Sequence, residues 1–150
     1  MGLFDGYNVA TSGMSAQRAR INVVSSNIAN AQTTHTTEGG PYKKQNVSFQ
    51  EVLFDENGKA KEIKTEKEKA DLSLRGVGVK EIIESKEAPM MKYEPNHPDA
   101  NKDGYVAYPN INPVIEMVDL IEAMRSYEAN VSAFKSQKQM DTKTLDIIRV

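Results

Sequence analysis

Apolar side chains return at alternating steps of three and four at both ends of this chain, and the prolines between them forbid the same pattern in the middle. Near the N-terminus Tyr7, Ala10, Met14, Gln17, Ile21, Val24, Ile28 and Ala31 fall on one stripe of a helix, and only Gln17 is polar. The opposite face carries Ser12, Ser15, Arg18, Arg20, Asn22, Ser25 and Ser26, small and polar rather than heavily charged. The helix is expected to stop near Ala31, because Thr33, Thr34, Thr36, Thr37, Gly39, Gly40 and Pro41 follow. At the other end Asn112-Pro113 is a helix-start signal, an N-cap amide followed by a proline where the missing N–H costs nothing. Met117, Leu120, Met124, Tyr127, Val131 and Phe134 then make a heptad-like stripe, widened by Ile121, faltering at Lys138 and Asp141 and resuming at Leu145 and Ile148.

Between these helices the chain reads as extended or irregular. Val47, Phe49, Val52, Leu53 and Phe54 predict a short apolar strand or a turn of helix, closed by Asp55-Glu56-Asn57-Gly58. Residues 55–71 are mixed Lys and Glu and predict a solvated hairpin tip or loop. Arg75 to Ile83, with valines two apart, predicts a strand, and Met90 to Glu94 a second. Pro89, Pro95, Pro98, Pro109 and Pro113 exclude helix across the next stretch. The expected fold is mainly α with a small β-rich middle module, the terminal helices pairing as a coiled-coil-like hairpin. Residues 1–33 and 112–150 form a terminal helical assembly domain, and 34–111 an extended connection with the β-rich module.

The chemistry of a catalyst is hard to find in this sequence. The formal charge of −2, from 19 basic and 21 acidic residues, gives no field that draws nucleic acid or an anionic membrane. No cysteine is present, which removes thiolate ligands and a cysteine nucleophile. His35 and His97 lie in separate Thr- and Pro-rich segments, without a carboxylate or hydroxyl at motif spacing. Gly76-Val77-Gly78 lacks the third glycine and following helix of a phosphate loop. Neither an enzyme nor a cofactor is expected. The start has neither the basic region nor the unbroken apolar run of a cleaved leader, and no later stretch approaches a membrane-spanning length, so any export is expected to proceed without a cleaved leader and direct membrane insertion is not expected.

One stretch imitates a metal site. Asp99-Ala100-Asn101-Lys102-Asp103-Gly104 matches the first half of a calcium-binding EF-hand loop, but Asn110 stands where the bidentate Glu belongs and Pro95 and Pro98 block the entering helix. A calcium-responsive binding module built on this loop is the alternative reading; a polar turn with Gly104 at positive φ is the plainer one.

The segment Ser26-Asn27-Ile28-Ala29-Asn30-Ala31-Gln32-Thr33 resembles the Asn-hydrophobic-Ala-Asn-x-x-Thr signature of bacterial flagellar rod and hook proteins. Ser12 to Arg18 before it, Thr34 to Tyr42 after it, the 97–112 motif and Glu116 to Met140, including Ser126-Tyr127-Glu128-Ala129-Asn130, extend the resemblance over about two thirds of the chain. It implies a non-catalytic subunit of the proximal rod, the drive shaft that joins the motor's membrane ring to the distal rod and hook in the periplasm-spanning basal body. The implied partners are copies of the chain itself, other rod proteins, the membrane ring, a rod adaptor protein and the flagellar type III export apparatus.

Joined to the periodicity, the resemblance makes Met14, Ile21, Val24 and Ile28 pack against Met117, Leu120, Met124, Val131 and Phe134, with Tyr127 on the same stripe. Asn27 and Asn30, with Thr33 closing the signature, are expected to bond backbone groups at the helix exit or across a subunit boundary. Gly39-Gly40-Pro41 is implied to lie in an extended connection that touches adjacent subunits.

Overall fold

The helix-start signal at Asn112-Pro113 is realised directly: the Asn112 Oδ1 accepts the N–H of Val114 at 3.0 Å, and the Asn112 carbonyl accepts the N–H of Glu116 at 3.1 Å. In the computed structural model, which describes residues 5–54, 60–61 and 75–148, α2 runs from there as Pro113–Ile148 without a break. The apparent faltering at Lys138 and Asp141 does not interrupt it. The first helix, α1, is Asp5–Ala29, and the turn over Asn30 to Gln32 ends it slightly before the expected Ala31. At 1.5 Å per residue the two helices are about 37 Å and 54 Å long.

Two antiparallel sheets lie between them in sequence. β1 (Gln45–Phe54) is flanked by β2 (Ala60–Lys61) and β3 (Arg75–Glu84) in the order β2-β1-β3. The ambiguity between strand and helical turn at Val47–Phe54 resolves to a ten-residue strand, because β3 pairs with it from Gln45↔Glu84 to Leu53↔Arg75. The register shifts between Ser48 and Phe49, where Lys80 is the extra residue of a bulge. Of the expected hairpin tip at 55–71, Ala60–Lys61 form β2 and the remainder lies outside the described residues. This sheet packs beside α1, and the Ser12 hydroxyl accepts the N–H of Val77 at 3.3 Å.

The second sheet pairs β4 (Met90–Tyr93) with β5 (Tyr105–Tyr108), a strand that the sequence pattern does not announce. Tyr93 and Tyr105 face each other as an edge-on pair with centroids 5.3 Å apart. The Thr34 hydroxyl, donating to Asp99 Oδ2 at 2.7 Å, ties the loop below this hairpin to the segment after α1.

Glu94 closes the hairpin, receiving Lys92 Nζ at 2.5 Å and the Tyr108 hydroxyl at 2.8 Å. Lys92, and then Tyr108, hold the Glu94 carboxyl below its ordinary value, and Glu94 raises both partners in turn. A depressed carboxylate contributes stability that is complete above the usual carboxylate range and is lost as pH falls through the lowered value. Amide protection across residues 90–108 should therefore hold from neutral pH into the usual carboxylate range and fail only below it. Tyr108→Phe, which removes one of the two donors, should move that onset to higher pH; an unmoved onset contradicts the assignment.

Candidate assembly interface

The helices pack antiparallel in a register set by residues seven apart. Gly6 lies against Gln137, Gly13 against Asn130, and Asn27 bonds Glu116, so each step of seven along α1 is a step of seven back along α2. The same register puts Arg20 opposite Ala123, which is fully buried, and Arg20 reaches Asp119 one turn away at 3.3 Å. In every layer a small side chain faces a longer polar one, or two polar groups bond each other. A Cβ at Gly13 would stand 3.0 Å from the Asn130 amide, so the helices approach more closely there than a larger residue allows. At the far end the Tyr7 ring meets Phe134 edge-on at 4.9 Å, and its hydroxyl donates to Asp141 Oδ2 at 2.5 Å. That bond to Asp141 pushes the phenol above its ordinary pKa.

This seam corrects the expected packing. Leu120, Tyr127, Val131 and Phe134 are half-buried on the inner side of α2, and Met14, Ile21 and Ile28 are half-buried on α1 with Val24 buried. Met117 and Met124, however, are 50% and 48% exposed and do not pack into the hairpin. The inner face of α2 is rotated by one residue, onto Glu116, Ala123, Asn130 and Gln137. Reading for the largest apolar residues picked the neighbouring line instead. The spacing of seven that links Gly6, Gly13, Arg20 and Asn27 was present in the sequence, but polar and small residues give no hydrophobic signal.

What faces outward is correspondingly apolar. Val114, Met117, Val118, Ile121 and Met124 recur at helical spacing along the first half of α2, each about half exposed or more. Among the described residues eight apolar side chains are buried, three of them alanines, against nineteen large ones exposed. An apolar surface that exceeds the core is the mark of a chain with partners.

One polar cluster joins the hairpin to the β-module. Asn27 is 1% exposed and uses its whole hydrogen-bonding capacity. Its Nδ2 donates to the Gln45 carbonyl at 2.8 Å and to Glu116 Oε2 at 3.1 Å. Its Oδ1 accepts the Gln45 N–H at 3.0 Å and the Tyr42 hydroxyl at 3.1 Å. Glu116, also 1% exposed, receives Lys44 Nζ on Oε1 at 2.6 Å. Asn30 bonds the Ser26 carbonyl at 2.9 Å, and the Thr33 hydroxyl donates to Asn30 Oδ1 at 3.2 Å, closing the helix exit. The amides of the signature thus bond within the chain. Glu116, Lys44 and Tyr42 were not singled out from sequence; a Glu in the first turn of a helix looks like an ordinary dipole complement.

The remaining sequence-derived positions lie at the surface. Gly39 and Gly40 both have positive φ, 89° and 78°, in a turn where the Thr36 N–H bonds the Gly40 carbonyl at 2.9 Å. Gly39 and half-buried Pro41 border a cavity of about 480 Å³ shared with Lys44, Glu84 and Pro109. In the loop that imitates a calcium site, Asn101 Oδ1 already accepts the N–H groups of Asp103 and Tyr105, both at 2.9 Å, and Gly104 has φ 80°. Asp99 is taken up by Thr34. The loop is a self-bonded polar turn.

Residues 8–34 match the family described as flagella basal body rod protein, and residues 102–147 that described as flagellar basal body rod FlgEFG protein C-terminal. These matches cover nearly all of α1 and α2. The chain is 42% identical to the flagellar basal-body rod protein FlgC of Borreliella burgdorferi, over 99% of both chains. It is 39% identical to that of Bacillus subtilis, over 98% of this chain and 99% of the other. With that of Salmonella typhimurium it shares 36%, over 98% of each.

The chain belongs to the FlgC family of flagellar basal-body rod proteins. As a FlgC-family member it is a structural subunit of the rod, located in the flagellar basal body, and assembles with other rod components. The FlgC relatives match across the β-module as well as the helices, so the cluster joining the two parts is covered by the likeness. Asn27→Ala leaves the part-buried Gln45 N–H and carbonyl and the buried Glu116 Oε2 without their partner, and a buried group so orphaned costs about 1–3 kcal/mol. Chemical denaturation of the full chain should show a loss of at least that size, while Asn22→Ala, on the exposed face of α1, should change little; equal midpoints for the two variants would contradict it.

Proposed function

We propose that the chain is a subunit of the proximal rod and that the outward face of α2 is the surface by which it assembles. The observation that carries this reading is the distribution of apolar side chains: the closest layers of the hairpin are small and polar, its inner apolar residues are mostly only half-buried, and Val114, Met117, Val118, Ile121 and Met124 are left outside. Each of these side chains, about half exposed or somewhat more, stands to gain half of the roughly 1.5–3 kcal/mol that full burial of such a residue is worth. Against the helices of neighbouring subunits they supply what the thin internal core does not.

On this reading the α1–α2 pair acts as a coiled-coil-like hairpin, its layers seven residues apart, stacked with others into a tube. The tube carries torque from the motor's membrane ring to the distal rod and hook, with a rod adaptor protein at its base. The export-competent form is the unfolded chain, passed through the type III apparatus; a fold whose core is thin and whose surface needs neighbours suits that route. Gly39-Gly40-Pro41, a turn whose two glycines are exposed, touches an adjacent subunit on this reading.

Ile121→Asp and Met124→Asp place a carboxylate on this face while leaving the seam untouched. Surface substitutions of this kind change stability by less than about 0.5 kcal/mol. The expected outcome is a full chain with the parent's denaturation midpoint, still exported, in cells that do not swim and whose basal bodies lack the rod. Swimming at the parental rate would overturn the assignment of this face.

A further inference from the structure

We propose that Glu116 is the positioning residue that selects the register of the helical hairpin, holding it against a slip of seven residues. The need for such a residue follows from the seam. Sliding α1 by seven toward the start of α2 places Gly6 against Asn130, Gly13 against Ala123 and Arg20 against Glu116. The first layer repeats the native Gly13–Asn130 contact, the second sets glycine against alanine, and the third pairs opposite charges. Tyr7, now on Phe134, would meet Tyr127, one aromatic ring for another. Steric fit in these layers does not tell the two arrangements apart, since small side chains recur with the heptad itself; what the slip gives up lies at the ends, where Val24 and Asn27 pass the start of α2 and Phe134 loses Tyr7.

The discrimination resides where three segments meet. In the native register Glu116 Oε2 takes the Asn27 amide at 3.1 Å and Oε1 takes Lys44 Nζ at 2.6 Å. Lys44 precedes β1, whose first residue Gln45 is bonded at both N–H and carbonyl to Asn27. Lys44 and Asn27 therefore occupy the carboxylate that Arg20 would reach after a slip, and Arg20 is retained one turn away by Asp119 at 3.3 Å. A slip in the opposite sense puts Asn27 against Ala123 and leaves Glu116 opposite no part of α1. A buried charge without its partner is strongly unfavourable, and selecting register is the best-attested use of buried polar and ionic groups in helical pairs.

The natural chain has no cysteine, so introduced pairs report register cleanly. Gly13→Cys with Asn130→Cys reads the native arrangement: a Cβ at Gly13 lies 3.1 Å from Asn130 Cγ, the reach a disulfide requires. Gly6→Cys with Asn130→Cys reads the slipped one. Full-length chains are expressed in flagellated cells, treated with a mild oxidant and resolved on non-reducing gels. With Lys44 present, the 13/130 disulfide should form and the 6/130 disulfide should be scarce. Lys44→Met frees Glu116 for Arg20, and the 6/130 species should rise by at least about tenfold. Lys44→Arg should restore the native pattern, and adding Arg20→Met to Lys44→Met should suppress the slipped species again. A Lys44→Met chain that forms only the 13/130 disulfide overturns the proposal. So does loss of both disulfides with or without Arg20, which would make the cluster a fastening for the hairpin and not a selector of its register.

Discussion

The rest of the structure depends on a carboxylate that is almost wholly withdrawn from water. Glu116 sits in the first turn of α2, is met from one side by the last turns of α1 and from the other by the residue preceding β1. Burying a charge is expensive unless it is paired and hydrogen-bonded; here Oε2 accepts the Asn27 amide and Oε1 is ion-paired with Lys44. Because its partners come from segments far apart in sequence, the site is complete only when the hairpin and the β-module are in place together. The Asn27 amide works in the same way: it pairs with both backbone groups of Gln45, as a strand neighbour would, and so begins β1 from a helix.

Around this cluster the usual relation of core to surface is reversed. The closest layers between α1 and α2 are made of glycine, alanine and amides, with larger side chains such as Leu120 and Phe134 only half-buried beside them, while Val114, Met117, Val118, Ile121 and Met124 lie outside on α2. A chain folding alone would gain from the opposite arrangement. The reversal is intelligible for a rod subunit, whose energetic optimum is reached in company. It also relieves the hairpin of competition, since the apolar stripe is not consumed by intramolecular pairing.

The same reversal marks the limit of what the sequence disclosed. Both helices, the proline-imposed extended middle and two of the strands could be read from periodicity, because local backbone preferences and one-sided burial act over a few residues. The calcium-like loop could be read as a turn because Asn101 and Gly104 have the chemistry of one. Met117 and Met124 were placed on the inner face because hydrophobic periodicity shows that a side of a helix is buried, but not whether the partner belongs to the same chain. β5 escaped because Tyr105–Tyr108 lies between the turn at Gly104 and Pro109 and is a strand only through its pairing with β4. Glu116 and Lys44 escaped for a related reason: a charged residue shows in sequence as a surface residue until a long-range partner is known.

Glycine in the seam has a geometric consequence for anything built from such hairpins. Interaxial separations of packed helices run from about 8 to 10 Å according to the side chains between them, and Gly6 and Gly13 favour the short end of that range. The hairpin is consequently slim, with a small lateral footprint for its length. When slimmer units are arranged about an axis, more of them fit around a bore of given radius. On the proposed tubular arrangement, two hydrogen atoms in place of side chains would bear on the wall thickness of the assembly as well as on the fold of one subunit.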